Sequence, residues 1–169
     1  MKLRLIIFSY MILASCSTGM KVPMSQIQRI DFDFAGSFKN KSLIVADQKE
    51  LITLTDIFEI GELEAESIDL KIINSTSVEL SSKVNGLLKS WTFHGNLSEQ
   101  GYFEVYLRNN YDKGLKSFAD IKRIRFSKST NGNLLVDDYV RNERQFLLWR
   151  VGGRKRIQSE FESISNSEQ

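Results

Sequence analysis

From Glu66 to Val151, apolar and polar residues alternate in short runs separated by turn residues, the period of strands with one buried face. Ile68, Leu70 and Ile72 alternate with Asp69 and Lys71, and Asn74-Ser75-Thr76-Ser77 turns the chain. Val78, Leu80 and Val84 lead to Asn85-Gly86, a strong two-residue hairpin signal. Trp91 and Phe93 fall on one face of the next run, with Thr92 and His94 on the other. Glu99-Gln100-Gly101 turns into a strand over 102–107, 109–116 reads as a polar loop, and 121–126 is a further strand. After a turn at 130–133, runs at 134–136 and 145–151 close the series, and Gly152-Gly153 ends it.

About seven short strands joined by tight turns predict a mainly β protein, an antiparallel meander. A sheet of that length tends to curl or close into a barrel, which removes exposed edges. The runs at 102–107 and 146–149 are apolar on both faces. This fits a sheet covered by the N-terminal segment, or strands whose outer face meets a partner. Leu51, Leu54, Ile57 and Phe58 recur at helical spacing, with Asp47 and Glu50 as a capping signal, against the β-branched Ile52, Thr53 and Thr55. One short N-terminal helix is predicted there.

The first residues follow a different rule. Lys2 and Arg4 precede an apolar run over 5–13, too short for the ~20 residues of a permanent spanning helix, and small residues follow at Ala14 and Ser15. This is the layout of a secretory signal peptide. Leu13-Ala14-Ser15-Cys16 resembles the lipobox of bacterial lipoproteins. That resemblance implies a thioether-linked diacylglyceryl group on Cys16 and cleavage between Ser15 and Cys16. Cys16 is the only cysteine, so no intramolecular disulfide competes for it. With Ser17 in place of an acid after the lipid-bearing position, the resemblance favours the outer membrane, facing the periplasm. The expected layout is a signal peptide over 1–15, a lipidated tether over 16–29, one β domain over 30–153 and a charged, disordered tail over 154–169.

Removing residues 1–15 takes away Lys2 and Arg4 and no acid, leaving 21 basic and 21 acidic residues. A neutral chain gives no support for nucleic-acid binding or for electrostatic attachment to anionic lipid. His94 is the only histidine, which excludes multi-histidine zinc sites, and no Gly-x-Ser-x-Gly elbow supplies a nucleophile for a triad through it. Asp137-Asp138 and the Glu62, Glu64, Glu66 run lack the spacing of a calcium loop, and the three glutamates, alternating with Leu63, Ala65 and Ser67, read as a solvated strand face or loop. No cofactor, metal or catalytic set is expected, and a hydrolase acting through His94 or Asp137 ranks last. The remaining candidates are Trp91, Phe93, Tyr102, Phe103, Tyr106 and Trp149, which either fill a core or line a cavity for a lipophilic ligand.

Gly36, Phe38 and Asn40, then Gly101-Tyr102-Phe103, then Asn131 to Asp137 before an aromatic strand ending in Gly-Gly, resemble elements of small uncharacterised lipoproteins of Gram-negative bacteria. The resemblance spans most of 30–153 and implies a lipocalin-like or related antiparallel barrel, without implying an activity. Two roles remain open: an interaction or structural module contacting an envelope protein, and a lipocalin-like carrier of a small lipophilic ligand.

Overall fold

The computed structural model describes residues 26–45, 51–61, 64–112, 116–146 and 149–164. The signal peptide, Cys16 and Glu62 lie outside them. Nine strands and one short helix follow in order: β1 (Ile27–Gln28), β2 (Ala35–Val45), α1 (Leu54–Ile57), β3 (Ser67–Asn74), β4 (Ser77–Val84), β5 (Leu87–Leu97), β6 (Phe103–Asp112), β7 (Lys116–Ser129), β8 (Leu134–Phe146) and β9 (Trp149–Ser163). From β2 onward each strand pairs antiparallel with the next, and β9 pairs back onto β2, so eight strands form a ring. β1 joins β7 through Ile27↔Ser129 and Gln28↔Lys128, beyond the last partner of β6. The domain therefore starts inside the stretch expected to be tether.

Strand alternation sorts the residues. In β3, Ile68, Leu70 and Ile72 point inward and the residues between them face water. Opposite them on β4 stand Leu80 and Val78. At Asn85-Gly86 both residues have positive φ, 53° and 78°, as a tight hairpin matched to strand twist requires. The interior is filled by Phe38, Phe58, Phe103, Phe126 and Phe161, each at most 1% exposed, among aliphatic side chains. Phe103 stacks on Phe126 at 5.5 Å between centroids, and Phe58 meets Phe93 at 5.1 Å.

The helix between β2 and β3 is real but only four residues long, and residues 43–45 belong to β2. Thr53 caps it by accepting a hydrogen bond from the Asp56 amide at 3.1 Å. Leu54, Ile57 and Phe58 are buried, so this connection folds into one end of the ring as a plug. Asn40, itself buried, holds it there: its amide donates to the Ala65 carbonyl at 2.9 Å and its oxygen accepts from Thr55 N at 3.2 Å.

Two expectations are corrected. Most of the predicted polar loop at 109–116 is strand: β6 runs to Asp112 and β7 begins at Lys116, with Asn110↔Asp120 and Tyr111↔Ala119 in register. The predicted tail is also strand through Ser163, because Gly152-Gly153 lies within β9 and does not end it. Ile157, Ser159 and Phe161 turn inward and are buried, and Phe161 pairs with both Ser42 and Leu134. This stretch therefore closes the ring.

Candidate functional site

The ring is not uniform along its length. β5 and β6 pair only over Gly95↔Val105 to Leu97↔Phe103, then part. β9 pairs with β2 only near its end, up to Val45↔Ser159. Beyond those points β6, β7, β8 and β9 continue together, β7 and β8 in register as far as Lys116↔Phe146 and β8 and β9 as far as Phe146↔Trp149. β6 to β9 thus continue as a four-stranded arm that pairs with neither β5 nor β2. Gly95 marks the parting: a Cβ there would lie 2.1 Å from the Glu104 carbonyl oxygen, so only glycine allows β5 to approach β6 so closely.

The arm concentrates positive charge. Residues 106–112, 116–123, 139–146 and 149–156 hold ten of the chain's 23 basic residues and three of its 21 acids. Register places Arg123, Arg141, Arg154 and Arg156 on its outer face with Tyr111 and Tyr139. Guanidinium groups cover tyrosine rings along that side: Arg125 over Tyr102 at 4.9 Å, Arg123 over Tyr139 at 5.0 Å and Arg141 over Tyr111 at 5.9 Å. Three carboxylates are threaded between them. Asp137, fully buried, accepts from Arg156 Nε at 2.6 Å and Nη2 at 2.9 Å, a bidentate pair. Glu143 accepts from Arg154 Nε at 2.7 Å and from Arg141 Nη2 at 2.9 Å. The Arg154 hydrogen bond is the main force holding the Glu143 carboxyl below its ordinary value, against its partial desolvation. Glu104 accepts from Arg125 and lies 3.7 Å from Arg123 Nε, too far for a hydrogen bond.

On the inner face a second cluster closes the neck of the ring. Glu59, which follows the plug, accepts from Arg108 Nη1 at 2.8 and 2.9 Å and from Lys122 Nζ at 3.1 Å. Burial pushes its carboxyl up, but the Lys122 and Arg108 hydrogen bonds outweigh it and leave Glu59 below its ordinary value. Arg108 also pairs with Asp120 at 3.3 Å. Asp138 is the exception: burial holds its carboxyl above the usual range, and its Oδ1 has no hydrogen-bond partner among the described residues.

The sequence-derived residues separate. Asp137 and Asp138 point to opposite faces and form no carboxylate pair. His94 is exposed on the outer face of β5, with Ser77 Oγ 3.3 Å from its Nδ1. Glu64 and Glu66 are exposed. Of the six aromatics, Phe103 is core, Phe93 packs against it, Trp91 is half-buried, and Tyr102 joins Leu135 and Ile27 in a small outer cluster. Tyr106 and Trp149 are exposed, Trp149 at 78%. The six do not line one cavity. Among the described residues, no group of three or more His, Cys, Asp or Glu is placed to hold a metal ion, and no helix is long and apolar enough to cross a membrane.

Sequence reasoning missed the arm. Its signal was the run over 139–156, with six basic residues and one acid, divided there between a strand, a terminator and a tail. Comparison with family models, with curated proteins and with solved structures gave no match.

Proposed function

We propose that this chain is a lipid-anchored, non-enzymatic binding module of the bacterial envelope, working through the arm that β6 to β9 raise above a filled ring. The observation that carries the reading is the arm itself. Ten basic residues gather on its four strands, where Glu143 is held by Arg141 and Arg154 and Asp120 by Arg108. A rigid, charged and aromatic surface suits recognition. The packed interior supports a core over a cavity and so argues against the lipocalin-like carrier.

Anchoring is carried by Leu13-Ala14-Ser15-Cys16, and Ser17 points to the outer membrane, facing the periplasm. Two or three acyl chains hold a protein where one does not, at ~0.8 kcal/mol per buried CH₂. The N-terminal peptide of protein expressed in a Gram-negative host is expected to start at Cys16 and to carry the mass of a diacylglyceryl thioether. A retained leader or a free thiol would remove the anchor.

A further inference from the structure

The two ends of the ring differ in chemistry. Antiparallel pairing throughout puts the β3–β4, β5–β6 and β7–β8 turns at one end and the β4–β5, β6–β7 and β8–β9 connections at the other. The first end is polar: Ser75-Thr76, Ser98-Glu99-Gln100 and Thr130-Asn131-Gly132-Asn133. At the other, Leu87 and Leu88 open β5 at 69% and 66% exposure, and Trp149 and Val151 lie at the start of β9 at 78% and 73%. No other described large hydrophobic residue is as exposed as these four. Each pair has basic flanks: Lys83 and Lys89 around the first, Arg144 and Arg150 beside the second.

Register places the two pairs at the same distance along their strands. Gly95, Val105, Ile124, Asp138 and Ile157 form one rung across β5 to β9. Leu87 lies eight residues past that rung on β5, and Trp149 eight residues past it on β9. At ~3.3 Å per residue both hairpins extend about 26 Å beyond the rung. A separate observation adds a polar recess on the outer face of the same arm. Tyr111, Ser117, Arg141, Gln145 and Arg150 surround a pocket of about 120 Å³ near the tips. Glu143 also lines it, its charge taken by Arg141 and Arg154.

Exposed apolar tips ringed by cations, beside a small arginine-lined recess, match the layers of an anionic bilayer: hydrocarbon below, phosphates at the surface. We infer that the end carrying the β4–β5 and β8–β9 hairpin tips docks on an anionic phospholipid surface. Leu87, Leu88, Trp149 and Val151 enter the interfacial layer, and Arg141 with Arg150 receives a headgroup phosphate. This rests on the arm being the working surface, and it names the partner. The exposed apolar residues at the polar end, Phe32, Ile73 and Ile164, are less exposed, at 60%, 49% and 37%.

The test uses the chain beginning at Ser17, which retains every described residue and lacks Cys16, so that binding is owed to the fold. With Trp91→Phe, Trp149 becomes the sole tryptophan. It is expected to shift to shorter wavelength on phosphatidylglycerol-containing vesicles, and much less on phosphatidylcholine alone. Co-flotation should weaken about thirtyfold with Arg150→Glu, as expected for about 1 kcal/mol per surface charge and a change of two charges. Leu87→Ser with Leu88→Ser should weaken it about tenfold, with the circular dichroism spectrum unchanged, since both side chains are exposed. An unshifted Trp149, or tip variants that float as the parent does, would overturn the lipid assignment and leave the anchor standing. A free thiol at Cys16 would remove the anchor and leave the vesicle result intact.

Discussion

Three residues carry more of the structure than their neighbours. Phe58 plugs the ring at 1% exposure between Phe93 and Phe126, so Phe58→Ala should cost about 3–5 kcal/mol, read as a lower denaturation midpoint. Asp137 is wholly buried and accepts two hydrogen bonds from Arg156, so Asp137→Ala, which removes both, should cost about 1.5–3 kcal/mol. Asp138 acts in the opposite sense. Burial holds its folded-state carboxyl above 3.8, so the folded chain binds its proton more tightly than the unfolded chain does. Its penalty is absent below the unfolded value, grows as pH rises through the folded value and is constant above. Asp138→Asn should therefore raise the melting temperature at about pH 7 and change it little near about pH 3. None of this was legible in Asp137-Asp138 as a dipeptide. Adjacent residues on a strand face opposite ways, so one carboxylate met arginine and the other met the core.

At the scale of elements, legibility tracked burial. β3, β4 and the inward halves of β5 and β7 showed their alternation because one face is apolar. The upper halves of β6 to β9 carry mostly polar side chains on both faces, so no hydrophobic period marks them, and pairing between backbones leaves no trace in side-chain pattern. Inside β9, Gly152-Gly153 imitated a terminator, and the two inward anchors Ile157 and Phe161 were too few to outweigh it. Ending the chain after Gly153 removes the strand that joins β2 to β8. Such a chain should lose its cooperative thermal transition, whereas removal of a disordered tail would leave it unchanged. The glycines divide in the same way. Gly95→Ala drives a Cβ into the β6 backbone and should cost about 1–3 kcal/mol, while Gly86→Ala meets open space and only the strain of its positive φ, about 1 kcal/mol.

For the whole molecule, net charge was the misleading quantity. The chain after Ser15 is formally neutral, yet the ring's register gathers ten cations onto one arm and leaves most acids below it. A neutral sum therefore does not exclude an anionic partner, because the partner meets a face and not a total. The ends also constrain the proposed anchor. β1 pairs beside the β7–β8 turn, at the polar end, so the tether reaches the fold on the side away from the exposed tips. Residues 16–26 reach about 35 Å at most, and the 15 residues of β9 run about 50 Å. An anchored domain whose tips touch its own membrane must lie along that membrane, while an upright one presents them to a facing surface.

The most direct test of the arm as the working surface is site-specific photo-crosslinking in intact cells. A crosslinking residue is placed at Val151, with a second chain carrying it at Asn131 on the polar end. Adducts, to lipid or protein, are expected from Val151 and are expected to fall sharply when Arg150→Glu is added. Equal adducts from both positions, or adducts from Asn131 alone, would contradict the account.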